Sequence, residues 1–160
     1  MQESSIYILT GAIQSGKTSS LLQCCTGKED CYGILTPVVA GKRVFMNVQT
    51  KEQFAMEATD GEEDIITVGK YVFNKNNFNK AVQIIRNAIE TKGWLVIDEI
   101  GPLELRGEGF CKVLKEVLAV RQEKIILVVR EGLAEQVKVH FNIKEVLIIN
   151  DVEVLKKLPG

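Results

Sequence analysis

The sequence predicts a three-layer α/β domain with a mostly parallel central sheet and an antiparallel β insertion between its first helix and an acid-ended strand. Three observations carry that expectation. A short β-rich run, "SIYIL" (5–9), leads through a glycine-bearing loop into helix formers. After Asn77, helical and strand-like segments alternate. The strand-like runs there, "WLVID" (94–98) and "KIILVV" (124–129), are apolar throughout, as strands covered on both faces are.

"SIYIL" reads as a buried strand, and "SGKTSSLLQCC" as the helix after it, with Leu21, Leu22 and Cys25 facing inward. Residues 31 to about 73 read as the insertion. "YGILTPVV" and "RVFMNVQ" are two strands with a hairpin turn around Gly41, and Pro37 places the first near an edge or a bulge. "EQFAMEA" is a further short strand, "TDGEED" an acidic loop and "IITVGKYVF" another strand. Phe78, Val82, Ile85 and Ile89 recur at steps of four, three and four, which sets one helix face. Phe110, Val113, Leu114, Val117 and Leu118 mark a second helix, and Leu133, Val137 and Phe141 a third. "VLII" (146–149) is a last strand, and "DVEVLKKL" a terminal helix capped by Asp151.

A chain of 160 residues is expected to form one domain spanning 1–160, large enough to bury a core without staples. Hydrophobic residues make up 46% and charged residues 26%, the balance of a soluble globule. A net charge of -1 argues against a protein held to nucleic acid by a basic surface. No apolar run approaches the ~20 residues that span a bilayer, and no signal peptide is apparent, so no membrane is expected. Cys24, Cys25, Cys31 and Cys111 show no CxxC spacing and His140 is the lone histidine, which points to reduced thiols in the cytoplasm rather than a zinc site.

Gly11, Gly16, Lys17 and Thr18 fit G-x-x-x-x-G-K-[ST] without mismatch, between a strand and a helix. The glycines let the backbone turn tightly, so that successive N–H groups of Gly11, Ala12, Ile13, Gln14, Ser15, Gly16, Lys17, Thr18 and Ser19 form an anion-binding nest. The new helix adds its positive end. Lys17 reaches the β- and γ-phosphates, and the Thr18 hydroxyl is a ligand for Mg²⁺.

"WLVIDEIGPLEL" (94–105) supplies a partner for that loop. Asp98 ends an apolar strand, where ligands bind in open α/β sheets and where a P-loop needs an acid for Mg²⁺. Glu99 follows, placed to orient water at the γ-phosphate. A D-x-x-G match, Asp98 to Gly101, keeps a GTPase-like arrangement formally open, but no N-K-x-D occurs and "IIND" (148–151) is a poor substitute. The ATPase-like arrangement, with Glu99 as base, is favoured.

With these segments in view the chain resembles the small P-loop nucleoside-triphosphatases that include the cancer-related nucleoside-triphosphatase and its archaeal and bacterial relatives. "VIDEIGPLEL" (96–105) carries most of the likeness, with "GILTPVVAGKRVF" (33–45) and "TVGKYVFNKNNF" (67–78) in the same order. The resemblance implies a RecA-like core and Mg²⁺-dependent hydrolysis of nucleoside triphosphates with loose base selectivity. It assigns Lys17 and Thr18 to phosphate and Mg²⁺, Asp98 to the metal and Glu99 to water. Gln14 and Ser15 stand where the family often has a Gly-Val type pair, and "VVREG" has a single Arg130 where a richer basic cluster is common.

Arg130 is a candidate for stabilising transition-state charge. Arg43 and Lys70 are candidates for touching the nucleotide, and Tyr71 and Phe73 for stacking on a base. A nucleotide kinase and a nucleotide-dependent binding switch are the rival readings. A kinase needs clustered arginines for its acceptor, and Arg43, Arg86, Arg106, Arg121 and Arg130 are scattered.

Overall fold

The structure, a computed structural model, describes residues 5–10, 17–25, 30–59, 61–68 and 71–150. β1 (Ile6–Leu9) is followed by α1 (Lys17–Cys25), β2 (Cys31–Leu35), β3 (Val38–Val39), β4 (Lys42–Asn47) and β5 (Gln53–Ala55). Next come β6 (Ile65–Val68), β7 (Tyr71–Asn74), α2 (Lys75–Asn87) and β8 (Trp94–Ile100). The chain continues through α3 (Pro102–Leu105), α4 (Cys111–Val120), β9 (Lys124–Val129), α5 (Ala134–His140) and β10 (Leu147–Ile149).

The main sheet has the order β10-β1-β9-β8-β2-β4-β3, with β5 on β4. Pairing is parallel from β10 to β2 and antiparallel beyond. Because side chains alternate along a strand, the apolar parallel strands feed two cores. Ile8, Ile34, Leu95, Ile97 and Leu127 pack with Ile85 of α2, Leu103 of α3, Leu114 of α4 and Val137 of α5. Leu9, Leu35, Val96 and Val128 pack with Leu21 and Cys25 of α1 on the other face. This is a three-layer α/β fold with a mostly parallel sheet.

The antiparallel region differs from the sequence reading at its borders. β2 pairs parallel to β8, so it belongs to the parallel sheet rather than to the insertion. Gly33 makes that position workable: it sits at φ +112°, and a Cβ there would stand 2.0 Å from the Val96 carbonyl oxygen. Thr36 and Pro37 then break the strand, and β3 and β4 form a hairpin through Ala40 and Gly41, both at positive φ (51° and 79°). "IITVGKYVF" is two strands, β6 and β7, paired as a separate hairpin. α2 starts earlier than its apolar face suggests, because the Asn74 side chain caps it by accepting from the Asn77 N–H. The expected helix at 151–158 lies outside the described residues.

Two buried polar side chains hold the loops around β8. Arg121 follows α4 and donates to the carbonyls of Thr91 (2.7 Å), Ala88 and Ile89 (3.1 Å each), Gly93 (2.9 Å) and Lys124 (3.1 Å). It thereby satisfies the end of α2 and the turn into β8, the type of multidentate work a guanidinium does and an ammonium cannot. Glu104 lies in α3 with its carboxylate accepting from the Gly101 N–H (2.8 Å) and the Phe110 N–H (3.0 Å). The first bond is half of a capping box, with Pro102 at the first helical position. A Cβ on Gly109 would stand 2.2 Å from the Glu104 Oε2, so glycine is needed beside the carboxylate.

Replacing Arg121 with alanine leaves several buried carbonyls unsatisfied and is expected to cost about 2–4 kcal/mol of unfolding free energy in urea titration. Arg121→Lys should recover less than half of that loss.

Burial pushes the Glu104 carboxyl up from 4.5 to about 7, only partly offset by its two N–H donors. The folded chain therefore holds this proton to higher pH than the unfolded chain does. The associated stability is full below about pH 4.5 and is lost as pH rises through about 7, a change of about 3 kcal/mol. The difference in unfolding free energy between the parent and Glu104→Gln should shrink by that order between pH 4 and pH 8. Parallel pH profiles for the two proteins would contradict the assignment.

Candidate functional site

Three segments meet at the carboxyl end of β8. Asp98 is 1% exposed there. Its Oδ2 accepts from the Thr18 hydroxyl at 2.8 Å and from the Thr36 N–H at 3.1 Å. Thr18 lies in the first turn of α1, and Thr36 directly follows β2. Burial raises the Asp98 carboxyl above the ordinary range for aspartate, and the two threonine donors work against that rise. Among the described residues no group of three or more His, Cys, Asp or Glu is arranged to hold a metal. The Thr18 hydroxyl and the Asp98 carboxylate bring hard oxygens together here.

Glu99 sits at an irregularity in β8. Asp98 is paired with Val128 and Ile100 with Val129, so Glu99 falls in a bulge, and the Asp98–Glu99 peptide is cis. Bulges re-aim side chains beside functional sites. The Glu99 side chain is 26% exposed, and its Oε1 lies 3.5 Å from the Nε of Arg130. Arg130 directly follows β9, and its N–H donates to the Ile100 carbonyl at 3.1 Å. The neighbouring strand thus carries the cation that faces this carboxylate.

The remaining candidates fall in different places. Arg43, in β4, donates from Nη1 to the Thr36 carbonyl at 3.0 Å and to the Thr36 hydroxyl at 3.4 Å, one residue removed from Asp98. Phe73 packs against Phe78 at 6.0 Å between ring centroids and so serves the core, whereas Tyr71, stacked on it at 6.3 Å, is 50% exposed. His140 is exposed at the end of α5, edge-on to Phe141. Ser19 is exposed on α1. Gly11, Ala12, Ile13, Gln14, Ser15, Gly16 and Lys70 lie outside the described residues, and of Lys17 only the backbone, opening α1, is described. The loop's geometry is therefore represented by its two flanks, Thr10 and Thr18. The Thr10 hydroxyl is buried with no hydrogen-bond partner among the described residues.

Sequence reading did not single out Thr36 or Glu104. The signal for Glu104 was present as G-P-x-E, a helix start with its N3 acid. Thr36 left only a Thr-Pro pair after a strand, which marks an extended residue but not the destination of its N–H.

Comparisons with known proteins place the chain in a family. A family described as NTPase matches the chain over residues 6–157. Nucleoside-triphosphatase THEP1 of Methanocaldococcus jannaschii is 33% identical over 121 residues, covering 69% of each chain. The Thermococcus kodakarensis protein of the same name is 30% identical over 134 residues, covering 76% of this chain and 73% of its own. Among solved structures, THEP1 from Aquifex aeolicus has a TM-score of 0.73 at 19% identity over 95% of both chains. A human cancer-related nucleoside triphosphatase has a TM-score of 0.70 at 22% identity, covering 96% of this chain and 95% of that one. The two structures share the fold, and the sequence matches carry the relationship further: the chain belongs to the NTPase family, whose members similar to it are nucleoside-triphosphatases.

Proposed function

We propose that the chain, acting as a single domain, hydrolyses nucleoside triphosphates to diphosphate and phosphate, with Mg²⁺ and with loose selection of the base. The observation that carries the proposal is the contact between the Thr18 hydroxyl and the buried Asp98 carboxylate, with Glu99 next in the chain. A hydroxyl and a single carboxylate suit Mg²⁺, which keeps several waters and phosphate oxygens and takes few protein ligands. A cation beside Asp98 would also oppose the effect of burial and favour the ionised carboxylate. Thr18 and Asp98 would hold the ion, which when bound neutralises charge on the β- and γ-phosphates.

The chain's own groups do the rest. Backbone N–H groups from Gly11 to Gly16 cradle the phosphates, and Lys17 reaches the β- and γ-phosphates. Glu99 accepts a hydrogen bond from water and aligns it with the γ-phosphorus. Arg130 acts through Glu99, since it faces that carboxylate at 3.5 Å. The lack of an N-K-x-D pattern in the sequence speaks against a guanine-specific site, and loose base selection rests on the family resemblance. The buried Cys111, in no disulfide among the described residues, suits a reducing compartment such as the cytoplasm.

Glu99→Gln should keep nucleotide affinity and lower turnover by about 10²–10⁴-fold, read as phosphate release from ATP, GTP, CTP and UTP. Turnover at the parental rate would remove Glu99 from the mechanism. Phosphate release should also stop when Mg²⁺ is chelated. Arg130→Ala should lower kcat more than it changes KM, and should add little to Glu99→Gln, because the two substitutions disable one pair. Full additivity in that double-mutant cycle would give Arg130 a role separate from Glu99.

A further inference from the structure

We infer that Arg43 is a positioning residue for the metal site, acting through Thr36 on Asp98 rather than by touching nucleotide. The inference rests on the metal-binding reading of Asp98 proposed above.

Asp98 is nearly sealed from solvent, so its orientation is set by the groups that donate to it. One donor, Thr18, is itself a proposed ligand and would turn toward a bound ion. The other, the Thr36 N–H, has no competing task. Thr36 lies just past the end of β2, and its N–H is spent on Asp98 at 3.1 Å. The residue is 3% exposed. Thr36 is in turn held from behind. Arg43 Nη1 donates to its carbonyl at 3.0 Å and its hydroxyl at 3.4 Å, and the Val44 N–H donates to the Pro37 carbonyl at 3.0 Å.

The register of the hairpin explains how Arg43 reaches this point. Arg43 pairs with Val38, two residues beyond Thr36, so its side chain runs back along the hairpin to the turn at 36–37. A continuous set of donors therefore leads from the β3–β4 hairpin to the carboxylate: Arg43 to Thr36, and Thr36 to Asp98. Partners standing behind a metal ligand orient it, and their removal typically weakens metal binding by about 10–100-fold. Arg43 is exposed at the surface, so its loss leaves the two cores intact.

The test measures Mn²⁺ binding by electron paramagnetic resonance on the full chain in the presence of a non-hydrolysable ATP analogue. Affinity for a fluorescent form of the same analogue without metal is measured in parallel. Arg43→Ala should weaken Mn²⁺ binding by about tenfold or more while metal-free nucleotide affinity stays at the parental level. Phosphate release should be reduced at low Mg²⁺ and recover at high Mg²⁺. Arg43→Lys, which keeps one donor and the charge, should give a smaller loss, and it carries the test if the alanine variant does not fold. Unchanged Mn²⁺ affinity in both variants overturns the inference, as does a loss of metal-free nucleotide affinity, which would mean direct contact with nucleotide. Asp98→Asn separates the two levels. If it binds Mn²⁺ as the parent does, the metal-site reading itself has failed. If it loses Mn²⁺ while the Arg43 variants do not, only the role of Arg43 has failed.

Discussion

A carboxylate buried at the end of a central strand is the constraint around which this molecule is arranged. Asp98 has given up nearly all its water, and an ionised group in that position is costly unless hydrogen bonds replace the lost solvation. Part of that replacement comes from the first turn of α1 and from the residue that follows β2. For both to arrive, β2 must lie beside β8, and α1 must open near the end of β8 although β9 stands between β8 and β1. The strand order is thus more than a way to bury apolar surface. It delivers two threonines to one oxygen.

Gly33 allows the β2 backbone to approach Val96 closely enough to set the position of Thr36. Glu104 anchors the start of α3 and the residue before α4, and so fixes the chain that leaves β8 just after Glu99. Arg121 anchors the chain that enters β8. Entry and exit of the acid-bearing strand are therefore each tied by one buried ionisable side chain. The phenylalanines are the apolar counterpart. Phe45, Phe78 and Phe110 contact one another at 4.9–6.3 Å between centroids and join β4, α2 and the start of α4.

Much of this was legible in the residues because the signals are local. Continuous apolar runs marked β8 and β9, helical periodicity marked α2, α4 and α5, and the glycine-lysine-threonine pattern with Asp98 and Glu99 marked the carboxyl end of the sheet, where the candidate site lies. The rest was illegible because it depends on pairing. "YGILT" has the same composition whether it pairs parallel or antiparallel, and the close approach at Gly33 that decides the matter involves Val96, far along the chain. Arg43 read as a candidate nucleotide contact because sequence shows a cation and its segment but not the register that turns it toward Thr36. Arg121 read as one of several scattered arginines, since carbonyl acceptors have no sequence signature.

The contacts to Asp98 join residues 80 and 62 positions apart in the chain. Closing loops of that length has an entropic cost that must be met before such contacts form, and it places them late on a folding route dominated by distant pairings. The strand that bears the acid also has to be flanked by β2 on one side and β9 on the other before both donors are in place. A chain emerging from synthesis or recovering from denaturant would thus acquire helices and hairpins well before both donors reach Asp98. Incompletely assembled molecules would leave that carboxyl without its two partners, and their arrival would mark the last step of assembly.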